Sequence, residues 1–403
     1  MNDSQHTGNV TSRGDLEFIA ITAILYVFII IASLLGNIIV CVVILSTRSL
    51  RRSVNSFFIL SLAVSDLTTT CVVIPFDLER LISNGKWQHG EVMCNVWTTT
   101  YLLAVPTSIL SLLALTVYRY RLLQDPLDSY KSSPLITRRR ALIVVCCLWG
   151  YSMLFSLVPV FGWKTYPTSV FNGYCHFNVS WIYSVLSSMI NFVTPVMTAS
   201  ILNCRMFCLA LKLSRKALRV DERCGKNRHS SSYSTAIQNC SLYERENTES
   251  PLKSKPSKHL YKPHLVDDRV LYQSAQQEDF LLKKLQKRNS RAAKTTFLIV
   301  FSFVFCWFPH TLCSITFSIC KQCFINVPYN IYTYVTGFFL VLGYLNSALN
   351  PILYSFRSPE FQKAVKIFLV KRSTSSNKHS GRKLSHPRLS ITKSTSVDRE
   401  TRL

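Results

Sequence analysis

The stretch FIAITAILYVFIIIASLLGNIIVCVVILST, residues 18–47, carries no charged side chain. An α-helix rises about 1.5 Å per residue, so about 20 apolar residues cross the roughly 30 Å hydrocarbon core of a bilayer. Because lipid offers no hydrogen-bond partners, every backbone amide must be bonded internally, which a helix achieves within one segment. This stretch therefore predicts a membrane-spanning helix.

Six further stretches have the same character. Residues 54–76 contain Asp66 as their only charge, and the uncharged stretches are 92–117, 141–163, 181–204, 295–320 and 322–356. Strands of a membrane barrel would be about ten residues long, with alternating polarity, and none of these stretches fits that description. The sequence predicts an all-α membrane protein whose bundle of seven transmembrane helices occupies residues 18–357.

The basic residues predict the orientation of this bundle, because lysine and arginine concentrate in short cytoplasmic loops. If residues 1–17 are extracellular, few of the 46 lysines and arginines lie outside: Arg13, Arg80, Lys86, Lys164 and Lys321. We therefore expect a multi-pass plasma-membrane protein with its N-terminus outside and its C-terminus in the cytoplasm. The net charge of +25 then reflects topology and attraction to anionic membrane lipids, and not nucleic-acid binding.

Three polar segments surround or interrupt the bundle. Residues from about 215 to 288 are basic and rich in Ser and Lys, which predicts a long third cytoplasmic loop. A segment of this composition cannot bury enough apolar surface to fold alone. Residues 358–371 carry apolar side chains among charged ones, the pattern of an amphipathic eighth helix lying on the inner leaflet. Residues 372–403 are rich in Ser and Thr and are predicted to form a disordered cytoplasmic tail.

Three asparagines, Asn2, Asn9 and Asn178, begin N-x-S/T sequons on the side predicted to be outside. The consensus makes each one a candidate for glycosylation in the secretory route. Two cysteines in the last outer loop, Cys320 and Cys323, are close enough in sequence to form a local disulfide, with free thiols as the alternative.

Polar residues and prolines inside the spans resemble those of the rhodopsin-like, or class A, G-protein-coupled receptors. The matching motifs are "GN" at 36–37, "LAVSD" at 62–66, Cys94 and Arg119 in the third span, Trp149, Pro195, "FVFCWFP" at 303–309 and "NPILY" at 350–354. The "GWK" after the fourth span, "RAAKT" at 291–295 and "LVLGYLNSALNPILY" are most similar to the biogenic-amine branch. The resemblance implies a receptor that binds an extracellular small molecule in the bundle and activates heterotrimeric G proteins.

Specific roles follow from this resemblance. It implies a disulfide between Cys94 and Cys175. It implies a sodium site beside the one acid within the spans, formed by Asp66, Ser108, Asn346, Ser347 and Asn350; a protonated or water-bridged Asp66 is the alternative. It implies that activation and G-protein coupling depend on Asn37, Trp149, Pro195, Tyr118, Arg119, Tyr120, Phe303, Pro309, Asn350, Pro351 and Tyr354.

The ligand-binding positions implied by the resemblance are Tyr101, Val105, Ser187, Ser188, Asn191, Trp307, His310, Thr311 and Tyr344. Amine receptors have an aspartate at the position of Tyr101, and losing a buried charge partner costs about 2–5 kcal/mol. We therefore expect a neutral, hydrogen-bonding or weakly acidic ligand. An amine receptor that uses Asp77 and Glu79, near the outer end of the second span, is the alternative.

The inner end also departs from the family pattern. Tyr118 and Asn289 stand where most members have acids that restrain Arg119, so we expect both ion pairs to be lost. The loss of these ion pairs would raise basal activity. Asn203 stands where the family usually has a tyrosine that stabilises the active state, and the loss of that tyrosine would lower basal activity. A non-signalling binding or scaffold relative of the same fold is therefore a further alternative.

The tail suggests additional partners. Ser and Thr residues at 373–376 and 382–385 are candidate kinase sites, and hence candidates for arrestin binding, while Thr401–Leu403 has the form read by PDZ domains. The chain lacks HExxH, GxSxG and phosphate-loop patterns, so we expect no enzyme. A channel or transporter would carry more charges within its spans, and the seventh span has no lysine to bind retinal.

Overall fold

The computed structural model describes residues 13–125, 136–228, 268–320, 327–357 and 361–367. Seven helices in these ranges are long and apolar enough to cross a membrane: Gly14–Ser46, Val54–Ile82, Gly90–Gln124, Arg138–Leu157, Trp181–Lys212, Asn289–Ile319 and Ile331–Leu353. The prediction of an all-α bundle with seven spans is confirmed. We call the end of the bundle at Cys94 the outer end and the end at Arg119 the inner end.

Most of the spans are regular α-helices. The α-helical segments are Arg13–Ser46, Arg48–Arg52, Val54–Thr68, Ile74–Ile82, Gly90–Gln124, Arg138–Leu157, Trp181–Ser187, Thr194–Arg228, Asp268–Ile319 and Tyr329–Arg357. Two π-helical turns, Thr69–Val73 and Ser188–Val193, interrupt the second and fifth spans. Each of them ends two residues before a proline, Pro75 or Pro195, whose ring clashes with the preceding turn of a regular helix.

The helices continue beyond the membrane into the predicted third loop. The fifth span runs on as helix to Arg228, and the sixth helix begins at Asp268. Both ends of the predicted loop at 215–288 are therefore helical extensions of spans, and the prediction that this stretch cannot fold alone stays a prediction. Extending a helix that a span has already nucleated adds one hydrogen bond per residue without a new nucleation cost.

The third span is the central helix of the bundle, in contact with the second, fourth, fifth and sixth spans. The first span packs against the second and the seventh. Its Gly36 lies so close to the seventh span that an added Cβ would be 2.8 Å from the Cβ of Pro351. Glycine is required at this crossing, because any side chain would push the two helices apart.

The lipid-facing side of the sixth span carries a row of stacked phenylalanines. The ring centroids of Phe297 and Phe301 are 6.3 Å apart, and those of Phe301 and Phe305 are 6.5 Å apart. Phe207 of the fifth span stacks on Phe297 at 6.1 Å. All four side chains are exposed on the surface of the bundle. We refer to these four residues as the phenylalanine row.

A short β-hairpin covers the outer end, with strands Val170–Phe171 and Tyr174–Cys175. Its turn residues, Asn172 and Gly173, have φ values of 52° and 78°. This left-handed geometry suits an Asn-Gly turn, which matches the twist of a hairpin. The disulfide between Cys94 and Cys175, with a Cα–Cα distance of 5.7 Å, attaches the hairpin to the third span.

After the seventh span, residues 361–367 form a further helix. Phe361 and Ala364 are buried against the bundle, whereas Lys363 and Lys366 are exposed. The predicted amphipathic eighth helix is thus present over its described part. The tail at 372–403 lies outside the described residues.

Candidate functional site

A cavity of about 90 Å³, open to the surroundings, lies among the third, fifth and sixth spans at the outer end. Eight of the nine expected ligand-binding residues line it: Tyr101, Val105, Ser187, Ser188, Asn191, Trp307, His310 and Thr311. The ninth, Tyr344, is fully buried and is not among the lining residues. The π turn of the fifth span contains two of these residues, Ser188 and Asn191.

The sequence reasoning missed other lining residues, which are Leu102, Pro106, Ile109, Phe177, Val179, Tyr183, Ser184, Phe192 and Ser314. Two of them, Phe177 and Val179, belong to the loop that follows the hairpin. The ring of Phe177 meets that of Tyr101 edge-on, with centroids 5.4 Å apart. Their position shortly after disulfide-bonded Cys175 is a signal that could have placed them over the cavity.

Aromatic rings form the floor of the cavity. Trp307 meets Tyr101 at 6.2 Å, His310 at 6.1 Å and Phe303 at 6.4 Å between ring centroids. Phe303 is buried beneath it and lies 6.2 Å from Phe192 of the fifth span. A ligand that presses on Trp307 would therefore act on a packed ring stack that continues toward the inner end.

The polar groups of the cavity are neutral. The Asn191 Oδ1 accepts a hydrogen bond from the Tyr151 hydroxyl at 2.7 Å, and the Thr311 hydroxyl donates to the Trp307 carbonyl at 3.0 Å. Among the lining residues that the structure describes, none is an aspartate, glutamate, lysine or arginine. A ligand in this cavity meets hydroxyl, amide and imidazole groups on an aromatic floor.

The two acids that could hold an amine higher in the bundle already have partners. The Tyr344 hydroxyl donates to Asp77 Oδ2 at 2.6 Å, and Arg80 Nη1 lies 3.6 Å from Asp77 Oδ1. Glu79 is exposed, with its Oε1 2.8 Å from His89 Nε2. Neither acid lines the cavity.

The hairpin is held over the cavity by Glu91, at the start of the third span. Its carboxylate accepts hydrogen bonds from the backbone amides of Ser169 at 2.7 Å and Val170 at 2.8 Å. A charged acceptor makes backbone hydrogen bonds stronger than neutral ones. Together with the disulfide at Cys94, this carboxylate fixes the loop that carries Phe177.

Asn178, an expected glycosylation site, is only 5% exposed, and its side chain makes hydrogen bonds within the same loop. Its Nδ2 donates to the carbonyls of Tyr166 at 2.8 Å and Thr168 at 3.1 Å. Its Oδ1 accepts from the amides of Thr165 and Tyr166, both at 3.0 Å. A glycan on Nδ2 would replace one of these donors, so the geometry disfavours this sequon. Asn2 and Asn9 lie outside the described residues.

Asp66 lies buried in the middle of the bundle. The Ser347 hydroxyl donates to its Oδ1 at 2.9 Å, and Asn350 Nδ2 donates to its Oδ2 at 3.0 Å. Ser108 bonds instead to Ser65, with 2.7 Å between the two hydroxyl oxygens. The amide oxygens of Asn346 and Asn350 are buried without a hydrogen-bond donor among the residues described. Of the residues expected to form a sodium site with Asp66, Ser347 and Asn350 thus contact its carboxylate directly.

Hydroxyl and amide groups connect the spans below the cavity. Asn37 Nδ2 donates to the Ser347 carbonyl at 3.0 Å, which links the first and seventh spans. Trp149 Nε1 donates to the Ser61 hydroxyl at 3.0 Å, and that oxygen lies 2.8 Å from the Ser111 hydroxyl. The second, third and fourth spans therefore share one chain of buried hydrogen bonds.

At the inner end, Asn289 of the sixth span donates from Nδ2 to the backbone carbonyl of Leu122 in the third span at 2.8 Å. Asn289 is 7% exposed. This hydrogen bond links the sixth span to the third at the position where the sequence predicts a lost restraint. Asn203, by contrast, donates to the carbonyl of Ala199 within its own helix at 2.8 Å.

Three residues expected to take part in G-protein coupling lie in the last turns of the third span: Tyr118, Arg119 and Tyr120. The Tyr118 ring packs against Phe58 at 6.1 Å, and the Tyr120 hydroxyl accepts a hydrogen bond from Gln124 at 3.0 Å. Arg119, between them, is half-buried. The following loop at 126–135 lies outside the described residues.

Some expected sites are described only in part. Pro309 and Pro351 lie inside continuous helices, and Tyr354 is described only as helical backbone. Cys320 is disulfide-bonded, whereas Cys323 lies outside the described residues. The candidate kinase sites and Thr401–Leu403 also lie outside them.

Comparison with known proteins decides the family. A family model described as 7 transmembrane receptor (rhodopsin family) matches residues 36–354. The chain belongs to the rhodopsin family of receptors. Members of this family are receptors and not enzymes, which confirms that expectation. As a rhodopsin-family receptor with seven spans, it is a multi-pass plasma-membrane protein.

Within the rhodopsin family, the chain is similar to receptors for biogenic amines. A tyramine receptor of Caenorhabditis elegans is 26% identical over 391 residues, covering 87% of this chain and 84% of that receptor. The octopamine receptor beta-2R of Chilo suppressalis is 30% identical over 342 residues, 84% of this chain and 76% of that one. The alpha-1A adrenergic receptor of Cavia porcellus is 30% identical over 360 residues, 87% of this chain and 69% of that one. The predicted kinship with the amine branch is confirmed.

Proposed function

We propose that this rhodopsin-family receptor binds an extracellular small molecule in the outer cavity and activates heterotrimeric G proteins at its inner end. The observation that carries the proposal is the cavity itself, whose floor is the buried ring stack of Trp307 and Phe303. In this proposal residues 1–17 are extracellular, and the inner end and the tail at 372–403 face the cytoplasm.

The proposed ligand is neutral and hydrogen-bonding, or weakly acidic. Tyr101 stands, in our reading, where the amine receptors have their aspartate, and it lines the cavity beside Phe177 and Trp307. An ammonium group placed there would lose its water without gaining a carboxylate, at a cost of about 2–5 kcal/mol. Tyr101, Asn191, His310 and the nearby hydroxyl groups are better suited to hydrogen bonds with uncharged atoms.

Activation follows from the same contacts. A ligand that favours another position of Trp307 shifts the ring stack, and the sixth span then swings outward on the inner side of Pro309. This movement separates Asn289 from the Leu122 carbonyl and exposes the surface around Arg119 to the G protein. The further residues on which we propose that activation and G-protein coupling depend are Asn37, Trp149, Pro195, Asn350, Pro351 and Tyr354.

We further propose that a sodium ion stabilises the resting state through Asp66, Ser108, Asn346, Ser347 and Asn350. The support is the buried carboxylate with unpartnered amide oxygens on the neighbouring seventh span. The ion would neutralise a charge that is otherwise costly inside the membrane.

Proposals for the tail and the surface rest on sequence motifs. Phosphorylation at 373–376 and 382–385 would recruit arrestins, and Thr401–Leu403 would bind a PDZ protein. Asn2 and Asn9 would carry the glycans.

The second candidate function is a non-signalling relative that binds a ligand or scaffolds partners without activating G proteins. Tyr118, Asn203 and Asn289 favour it, because each replaces a residue that normally takes part in switching.

The test is expression of the chain with a panel of G-protein activation sensors, without ligand and then with amines, nucleosides and small acids. A response to a neutral or acidic compound that Arg119→Ala abolishes at unchanged surface expression would support the proposal. Signalling that is absent with every sensor, with the receptor at the cell surface, would favour the non-signalling candidate. A response to amines that survives Asp77→Asn and Glu79→Gln would contradict our account of the cavity.

A further inference from the structure

Asp77 is a buried acid outside the cavity and outside the sodium cluster. Its side chain is only 6% exposed, although it lies near the outer end of the second span. A carboxylate at such a place needs a cation or several donors to offset its lost hydration. The Tyr344 hydroxyl supplies one donor, at 2.6 Å from Oδ2. The cation comes from the same helix.

That cation is Arg80, one turn further toward the outer end. Its Nη1 lies 3.6 Å from Asp77 Oδ1, and its guanidinium carbon lies 4.5 Å from the centroid of the Trp97 ring. The Arg80 side chain is 31% exposed, whereas that of Asp77 is 6% exposed. Arg80 therefore occupies a position framed by a carboxylate and the face of an indole ring.

A carboxylate together with an aromatic face is the chemical environment that binds an ammonium group. Asp77, Trp97 and the hydroxyl of Tyr344 thus form a cation site that Arg80 fills from within the chain. Because Arg80 is tethered three residues away, it competes with any free amine at a high effective concentration.

We propose that Arg80 is a specificity-determining residue, an internal cation that excludes biogenic amines from Asp77, so that removing its charge creates an amine site. The inference deepens the proposed preference for ligands without an ammonium group, and it rests on that part of the proposed function.

Glu79 provides an internal comparison. It lies on the same short helix, but it is exposed and pairs with the imidazole of His89. An amine attracted to the outer end by charge alone would respond to Glu79 as much as to Asp77. An amine held in the site vacated by Arg80 would depend on Asp77 only.

The experiment measures binding of tyramine to purified receptor in lipid nanodiscs, with 4-ethylphenol, which keeps the ring and lacks the amine, as the matched probe. The proteins are the wild type, Arg80→Ala, Arg80→Gln, Arg80→Lys and the double variant Arg80→Ala with Asp77→Asn. We expect Arg80→Ala and Arg80→Gln to bind tyramine about 30-fold more tightly than the wild type, or about 2 kcal/mol at 1.4 kcal/mol per tenfold. Arg80→Lys should bind tyramine as the wild type does.

The double variant should lose the gain, Arg80→Ala with Glu79→Gln should keep it, and the affinity for 4-ethylphenol should not change. Arg80→Gln preserves the length of the side chain, so it serves if Arg80→Ala does not fold. The inference is overturned if folded Arg80→Gln binds tyramine no better than the wild type, or if the gain survives Asp77→Asn. Because no G protein is present, a failure of the proposed signalling would not affect this result.

Discussion

The hydrogen bond from Asn289 to the Leu122 carbonyl can be tested through the basal activity of the receptor. It joins the sixth span to the third at the inner end, and an outward swing of the sixth span must break it. Asn289→Leu keeps a similar side-chain volume and removes the donor. We expect this variant to signal more than the wild type in the absence of ligand.

The magnitude follows from the energy of one buried hydrogen bond, which contributes about 1 kcal/mol net. At about 1.4 kcal/mol per tenfold change in an equilibrium constant, the ratio of open to closed receptor should rise about fivefold. A basal open fraction of about 1%, within the usual range for a minor state, would become about 5%. The effect should be independent of pH, because the side-chain amide does not titrate.

The assay is ligand-free G-protein activation, normalised to the number of receptors at the cell surface. The matched control is Thr295→Val, on the same span, which removes a hydrogen bond from Thr295 to the Arg291 carbonyl within that helix. This variant should behave as the wild type, since its lost bond does not join two spans. Equal basal signalling from Asn289→Leu and the wild type would refute the reasoning. An equal increase from Thr295→Val would attribute the effect to loosening of the sixth helix itself.

Three further predictions concern helix packing, the proposed sodium site at Asp66 and the outer loop. Gly36→Ala should destabilise the receptor by about 1–3 kcal/mol, because the new Cβ would lie 2.8 Å from the Cβ of Pro351. The measurement is thermal unfolding. The control is Gly337→Ala, whose Cβ would lie 3.6 Å from its nearest neighbour, the ring of Phe18. Sodium chloride should raise the melting temperature of purified receptor relative to potassium chloride, and Asp66→Asn should remove the difference; an unchanged difference would exclude this carboxylate as a sodium ligand. Asn178→Gln should not change the shift in electrophoretic mobility caused by deglycosylation, since both hydrogens of its side-chain amide are engaged in the loop.

The sequence was sufficient for the architecture and for most of the cavity. A long uncharged stretch can satisfy its backbone hydrogen bonds within lipid by forming a helix, so the seven spans follow from the positions of the charges. The cavity residues were assigned through the resemblance, and the helical period then places Tyr101 and Val105 on one face, as found.

Other features depend on neighbours that a sequence does not reveal. Asn178 matches a glycosylation consensus, but its burial follows from how the loop folds back on itself. Asn289 was expected to mark a lost restraint, and its backbone partner in the third span could not be inferred from residue types. The partner of Asp77 was three residues away on the same helix, yet the contribution of Tyr344 required the seventh span to be in place.

The phenylalanine row has a consequence for the ease of switching. Ring contacts with lipid tails and with each other are non-directional, so the sixth span can slide along its membrane-facing side without losing a specific bond on that side. At the inner end, the Asn289 amide supplies a directional bond to the third span, which an outward movement of the sixth span must break. Natural variation at this one position can therefore change the basal activity of the receptor. The lipid-facing surface of the sixth span is apolar in either conformation and would not need to change with it.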